Sequence, residues 1–251
     1  MRNKITAVLG AVTVLVMAIS FANVSAQQAP KTATAKAAKQ KDTVIGKADM
    51  LKSHWGDNKT TLMKGNVSFT HGDTVIASDQ VEYDETSKSA VSPGALTITD
   101  PECDISGDKG SAYFKKKLSI VEGNVVMHVK PKLTEQEKSA QKDKDSKDVK
   151  AKLKEPTMIT CKRLEYLYKD KVATAIGGVF FKQPKRTASA DRAIYDEKDE
   201  LLTLIGNVKG TDEEGQTFAA PEKVVISLKK GDEWMEAPHA NATFKIDLDE
   251  E

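Results

Sequence analysis

The chain has 251 residues, with 38 Lys and Arg against 37 Asp and Glu and a formal net charge of +1. That balance argues against a nucleic-acid binder, which needs a basic surplus gathered on one face. Four scattered histidines, His54, His71, His128 and His239, have no paired-ligand spacing and argue against a zinc or triad site.

From the N-terminus, Arg2 and Lys4 precede an apolar run from Ile5 to Ala22, and Val24-Ser25-Ala26 supplies small residues before a cleavage point. Residues 1–26 are therefore expected to be a signal peptide, with the mature chain exported and beginning at Gln27; a retained membrane anchor is the competing reading. Losing Arg2 and Lys4 leaves 36 basic residues against 37 acidic ones. Residues 27–42, "QQAPKTATAKAAKQKD", hold no large apolar side chain and read as a flexible linker.

From Thr43 the texture becomes short alternating runs of Val, Ile, Thr and aromatics separated by Gly, Asp and Asn, the pattern of strands joined by turns. "GNVSF" at Gly65 returns as "GALTI" at Gly94, "GNVVM" at Gly123, "GGVFF" at Gly177, "GNVKG" at Gly206 and, more weakly, "ANATF" at Ala240. Intervals of 29 residues recur, and a repeat of that kind governs the fold. The long interval from Gly123 to Gly177 contains a charged insertion, residues 131–155, with eight Lys and six acidic residues. Residues 43–246 are expected to form one β domain, followed by an acidic tail, 247–251.

Within the units Val67, Leu96, Val125, Val179, Val208 and Ala242 stand two residues after the marker, and Phe69, Ile98, Met127, Phe181, Gly210 and Phe244 stand four after. Period two with one apolar row means a sheet with one face inward. The second strand of the unit is read with Val75, Ala77, Val81 and Tyr83 on one parity, matched by Met158, Thr160, Leu164 and Tyr166 in one copy and by Thr187, Ser189, Ala193 and Tyr195 in another. Stacked units bury a core between two facing walls, so the expected fold is all-β, an elongated folded sheet (a β-jellyroll or β-taco) of about 29-residue repeats.

Asp79, Asp108 and Asp191 occupy equivalent places, as do Asn66, Asn124, Asn207 and Asn241. An active site is assembled once, so these read as turn, bulge or edge formers and not as catalysts. Trp55 and Trp234 lie near opposite ends and either plug the mouths of the core or sit at joints with partners. Cys103 and Cys161 are offset by four residues within their units, about 13 Å along a strand. A disulfide needs Cα atoms within about 7 Å, so no bridge is expected.

The recurring phrases Gly65-Asn66-Val67, Ser78-Asp79-Gln80, Gly107-Asp108-Lys109, Gly123-Asn124-Val125, Ala190-Asp191-Arg192 and Gly206-Asn207-Val208 resemble those of the OstA-like lipopolysaccharide transport proteins. That family comprises the LptA type, the related LptC and the periplasmic part of LptD. The resemblance implies a periplasmic groove for lipopolysaccharide, holding the acyl chains of lipid A, in units joined head to tail into a bridge between the membranes. It also implies LptC-like and LptD-like partners at the two ends. The chain differs from the LptA pattern in its length, insertion and Lys-rich leader.

On that reading the groove is lined by Val67, Phe69, Val75, Ala77, Val81, Tyr83, Leu96, Ile98, Val125, Met127, Leu164, Tyr166, Val179, Phe181, Tyr195 and Val208. Arg163, Lys182, Lys185, Arg186 and Arg192 are candidate rim cations for phosphates, or simply a solvated face. No enzyme activity, cofactor or metal is expected. The rival reading is a structural cell-envelope β-solenoid without lipid cargo.

Overall fold

The computed structural model describes residues 44–130 and 156–243, apart from residues 58 and 230. The expected signal peptide, linker, charged insertion and acidic tail lie outside the described residues. The runs rich in Val, Ile and Thr form eighteen strands joined in one antiparallel sheet. The first half contains β1 (Ile45–Lys47), β2 (Met50–His54), β3 (Thr60–His71), β4 (Thr74–Asp84), β5 (Ser89–Ser92), β6 (Leu96–Thr99), β7 (Cys103–Gly107), β8 (Lys109–Tyr113) and β9 (Leu118–Val129). The second contains β10 (Thr157–Leu167), β11 (Val172–Gln183), β12 (Arg186–Asp196), β13 (Leu201–Ile205), β14 (Val208–Asp212), β15 (Thr217–Ala220), β16 (Lys223–Ser227), β17 (Trp234–Glu236) and β18 (Asn241–Thr243).

The long strands change register near their middles, between Lys64 and Val67 on β3, Cys161 and Arg163 on β10, and Ile176 and Val179 on β11. Each therefore belongs to two walls. One wall runs from β1 through the C-terminal part of β3 and the N-terminal part of β4 to β6, β7 and the C-terminal part of β9. It continues through β10, β11 and β12 to β14, β15 and β18. The other wall runs from β2 through the remaining parts of β3 and β4 to β5, β8 and β9, and then through β10, β11 and β12 to β13, β16 and β17.

A corner separates the walls, and its chemistry is repeated. Gly65 and Asn66 are both left-handed (φ 73° and 45°), as are Gly123 with Asn124, Gly206 with Asn207 and Gly177 with Gly178. Two such residues in succession reverse the local twist, which most side chains resist. At three corners an Asp locks the turn from the neighbouring rung, Asp49 and Asp108 from the breaks between β1 and β2 and between β7 and β8, and Asp191 from β12. Asn66, Asn124 and Asn207 donate side-chain hydrogen bonds to Asp49, Asp108 and Asp191 at 2.8, 2.9 and 2.8 Å. The same Asp residues donate their backbone N–H to the carbonyls of Gly65, Gly123 and Gly206. A Cβ on any of these glycines would run into that Asp carboxylate, and on Gly177 into the Lys162 stem.

The expected bulge role of Asp108 and Asp191 is thus what the structure contains, with Asp49 as a third member, whereas Asp79, read as their equivalent, precedes a marker, Gly94, that is not left-handed. The markers at Gly94 and Ala240 are different. Gly94 is not left-handed and falls in the break between β5 and β6 after Pro93, which cannot donate to a ladder. There the hydroxyls of Ser78 and Ser92 share a 2.6 Å hydrogen bond, and the one that accepts it has its own proton free for a nearby carbonyl, Ala95 for Ser78 or Gly94 for Ser92. Near Ala240 it is His239, not Asn241, that is left-handed.

The corner also shifts which parity faces inward, and this corrects the reading of the second strand. On β4, Thr74 and Ile76 are buried on one side of the corner and Val81 and Tyr83 on the other. An interval of five separates Ile76 from Val81, so strict alternation fails across Ser78-Asp79-Gln80. Val75 and Ala77 are half-buried and lie off the inward row. The homologous inward positions are Ile159 and Cys161 on β10 and Ala188 and Ala190 on β12, not the Met158, Thr160, Thr187 and Ser189 that the same parity would select.

The register also explains the cysteines. Cys103 lies opposite Val129 on β9 and Cys161 lies opposite Val125 on the other side of the same strand. They are four residues apart along β9, as the spacing requires, and are not joined.

Gly123→Ala should destabilise the chain by at least about 1–2 kcal/mol from the left-handed backbone alone. Gly94→Ala, with nothing within 4 Å of its Cβ, should change stability by less than about 0.5 kcal/mol. Urea unfolding midpoints compare the two. Equal losses would show that the Gly-Asn corners are not the special positions described.

Candidate functional site

Two inward rows lie one step beyond the corner and face each other across a common core. On the first wall the cross-strand partners follow one another as Phe69, Ile76, Ile98, Ile105, Met127, Ile159, Phe181, Ala188, Gly210 and Phe218. On the second wall they run Thr61, Tyr83, Ala90, Ala112, Ser119, Tyr166, Ala173, Tyr195, Leu202 and Ile226. Nearer the corner a second pair of rows contains Val67, Leu96, Val125, Val179 and Val208 on one wall, and Val81, Val121, Ala175, Ala193, Leu204 and Val224 on the other, all buried.

The paired rows change together along the sheet. Phe69, Ile76, Ile98 and Ile105 are at most 3% exposed, and Ala90, Ala112, Ser119 and Tyr166 opposite them are buried as well. The first row is half-buried from Met127 and Ile159 onward, and the second from Ala173 onward. At the far edge Met235, the next partner after Ile226, is 58% exposed. The inward rows are thus more fully buried from β4 to β8 than from β11 to β18.

Turns close the seam of the first half in a way that alternation does not reveal. Phe114, in the turn after β8, packs edge-on against Tyr83 with ring centroids 5.9 Å apart. Tyr168, in the turn after β10, donates its hydroxyl to the Phe114 carbonyl at 3.3 Å. The same turn position is held after β12 by Glu197, which is buried and paired with Lys171 at 3.0 Å. The Tyr166 hydroxyl lies 3.5 Å from that carboxylate, so it is directed at a buried acid and not at solvent. Burial and then Glu197 hold the Tyr166 phenol above its usual range. Burial, followed by the charges of Glu200, Glu197 and Asp196, pushes Tyr195 up to about 12.

Of the predicted site residues, Val67, Phe69, Val81, Tyr83, Leu96, Ile98, Val125, Tyr166, Val179 and Val208 are buried in the core, and Met127, Leu164, Phe181 and Tyr195 pack against it half-buried. Val75 and Ala77 are the two outside these rows. Among the candidate rim cations, Lys182, Lys185 and Arg186 flank the hairpin between β11 and β12, where the inward row is half-buried, and Lys185 pairs with Glu213. Arg192 sits directly beyond the corner, beside Asp191, and is exposed. Arg163 also sits at the corner, bound to Glu122 at 2.5 Å and to Glu165 at 2.6 Å. Neither is at the rim. Trp55 is 84% exposed and plugs nothing; Trp234 is exposed on β17.

Among the described residues no group of three or more His, Cys, Asp or Glu could hold a metal ion, and no helix is long and apolar enough to cross a membrane. The backbone of both walls is engaged in ladders, so the space between them offers side chains and not hydrogen-bonding edges.

These features define a class: an all-β protein folded lengthwise around one apolar interior. Residues 104–232 match the family described as LptA/(LptD N-terminal domain) LPS transport protein, and the chain belongs to that family. Among solved structures it is similar to LptH of Pseudomonas aeruginosa, described as the LptA homologous periplasmic component of the conserved lipopolysaccharide transport device. The identity is 17%, over 49% of this chain and 75% of that one, with a TM-score of 0.37. No curated protein matches.

Burial acts against ionisation of Glu122, but the hydrogen bond and charge of Arg163, aided by Lys109, bring its pKa below the usual value. A depressed carboxylate adds stability above its unfolded pKa and loses it as pH falls through the folded one. Arg163→Gln should therefore raise the Glu122 midpoint in a carboxyl NMR titration and reduce the dependence of stability on pH in the acid range. An unmoved midpoint would show that the pair is not formed in solution.

Burial first, then Asp100 and Asp104, pushes the Cys103 thiol up to about 12, and burial also raises Cys161. Native protein treated with iodoacetamide at neutral pH should stay unmodified, whereas denatured, unreduced protein should take two labels by mass. A denatured protein that took none would overturn the four-residue offset.

Proposed function

We propose that the chain is a non-enzymatic periplasmic component of lipopolysaccharide transport, which binds the acyl chains of lipid A between its walls and forms one unit of a bridge from inner to outer membrane. The observation that carries this reading is the pair of apolar rows facing each other along the whole fold. A buried methylene is stabilised by about 0.8 kcal/mol, so such rows offer a graded path without chemistry. Membership of the LPS transport family supports the cargo, and the expected signal peptide supports the compartment. That β1–β6 share the same two walls supports extending the family's sheet beyond its matched span to the described strands from Ile45 to Thr243.

Both ends support docking. β1 and β2 each pair only with β3 among the described strands, and β17 and β18 only with β16 and β15. Ile45, Met50 and Leu51 are exposed at one end and Trp234 and Met235 at the other. Unblunted edges with apolar side chains suit strand addition. We assign them to an LptC-like partner, an LptD-like partner or a second copy of the chain.

A structural envelope β-solenoid without cargo is the second reading, favoured by the β3–β9 half, where the rows fill the interior themselves. Lipid extracted from the natively purified protein should contain lipid A-type acyl chains by mass spectrometry, and purified lipid A should bind in titration. An empty protein that does not titrate would leave the scaffold reading standing.

A further inference from the structure

The two halves of the interior are filled differently, and the difference has a functional consequence. In the β3–β9 half the inward row is built of large side chains, Phe69, Ile76, Ile98 and Ile105, all nearly inaccessible. Ala90, Ala112 and Ser119 opposite are small and buried against them, so large meets small and the gap is occupied. Phe114 and Tyr168 then cover the seam. In the β11–β18 half the rows contain Ala173, Ala188 and Gly210 among larger residues, and both rows are half-buried. There the seam carries the Lys171–Glu197 pair in place of an aromatic cover.

We propose that the acyl-binding site is confined to the β11–β18 half, between the row of Phe181, Ala188 and Phe218 and the row of Tyr195, Leu202 and Ile226, and that the β3–β9 half is a self-filled closed segment. This rests on the lipid-carrier reading for the identity of the cargo, but not for where a hydrocarbon binds. The occupant is an acyl chain and not a peptide. Every strand between β10 and β16 is paired on both sides, so a peptide laid between the walls would bury its own amides without partners. An acyl chain has none to satisfy. Arg186, on the parity of Ala188 at the β11–β12 hairpin, lies at the end of the inward row and suits a phosphate of an anionic lipid head. The family match begins at Asp104 and so takes in this open half while omitting β1–β6.

The test places the photo-crosslinking residue benzoylphenylalanine singly at Phe181, Leu202 and Phe218, and at Phe69 and Tyr83, with folding checked by circular dichroism. Purified lipid A and a fluorescent fatty acid are the probes. Adducts are expected from the first three positions with both probes and from neither of the last two. Ala188→Trp, which fills the open half, should weaken fatty-acid binding at least tenfold in the unlabelled protein.

Adducts at Phe69 or Tyr83 comparable to those at Phe181, or Ala188→Trp binding within twofold of the parent, overturn the confinement while leaving the carrier reading intact. Fatty-acid adducts in the open half with no lipid A binding would instead remove the carrier reading and leave the confinement standing. No adduct with either probe at any position overturns both.

Discussion

The sheet depends on a hydrogen-bonded corner made by two left-handed residues and one acid. An antiparallel sheet twists but does not fold sharply along a line, because alternation keeps one face continuous. Gly65-Asn66, Gly123-Asn124 and Gly206-Asn207 interrupt that continuity. Asp49, Asp108 and Asp191 hold each interruption closed from the neighbouring rung, through a side-chain amide and a backbone carbonyl. A glycine is needed because the Asp carboxylate lies where a Cβ would be, and Asn is suited to the second place because it tolerates the left-handed region and donates to that acid. With the corners in register, the residues two before and two after each glycine both turn inward, as Val121 and Val125 do.

The corner supplies the two walls, and side-chain size determines how far apart they stay. Valines pack directly behind the corner at Val67, Val125, Val179 and Val208, and this seam is the same throughout. One step further out the rungs diverge in character. Isoleucine rungs meeting alanine bring the walls into contact, while rungs alternating Phe181 with Ala188 and Gly210 with Phe218 leave the two rows only half covered. A single backbone plan therefore holds a packed core at one end and an accessible interior at the other. The turns reinforce the division, since the position that carries Phe114 and Tyr168 over the packed end carries Glu197 over the open one.

Much of this was legible in the residues. Alternation gave the all-β folded sheet, and the recurrence of Gly-Asn gave the bulge that folds it. Parity fails on β4 because a corner shifts the inward phase by one residue, which counting along a strand cannot register: Thr74 and Ile76 face inward, with Ser78 opposite Val67, while Val75 and Ala77 do not. Gly94 matched the marker in sequence but lacked an Asn after it, and Pro93 before it broke the strand instead. Asp49 escaped notice because it precedes the first marker, outside the span where the phrases could be aligned. Phe114 and Tyr168 sit in turns full of Lys, so their inward direction depends on how the turns curl over the seam. Arg163 and Arg192 follow the corner by position in the rung, and only the fold separates that ridge from the rim.

The edges and the gradient are connected by the continuity of the rows. On the second wall Ile226 is followed by Met235 on β17, and on the first Phe218 is followed by Ala242 on β18. Both terminal partners are exposed, and the strands that carry them have a free side among the described residues. A further antiparallel rung paired there would place its own inward residues beside Met235 and Ala242 and extend both rows without a break. At the opposite edge, Phe69 next to β1 is already nearly inaccessible, with Gly46 across from it so that the ring has room. A sheet added at that end would meet a filled interior. Among the described residues both ends carry unpaired strand edges, but the apolar rows run on into exposed residues only at the β17–β18 end, so the two ends are not equivalent as junctions.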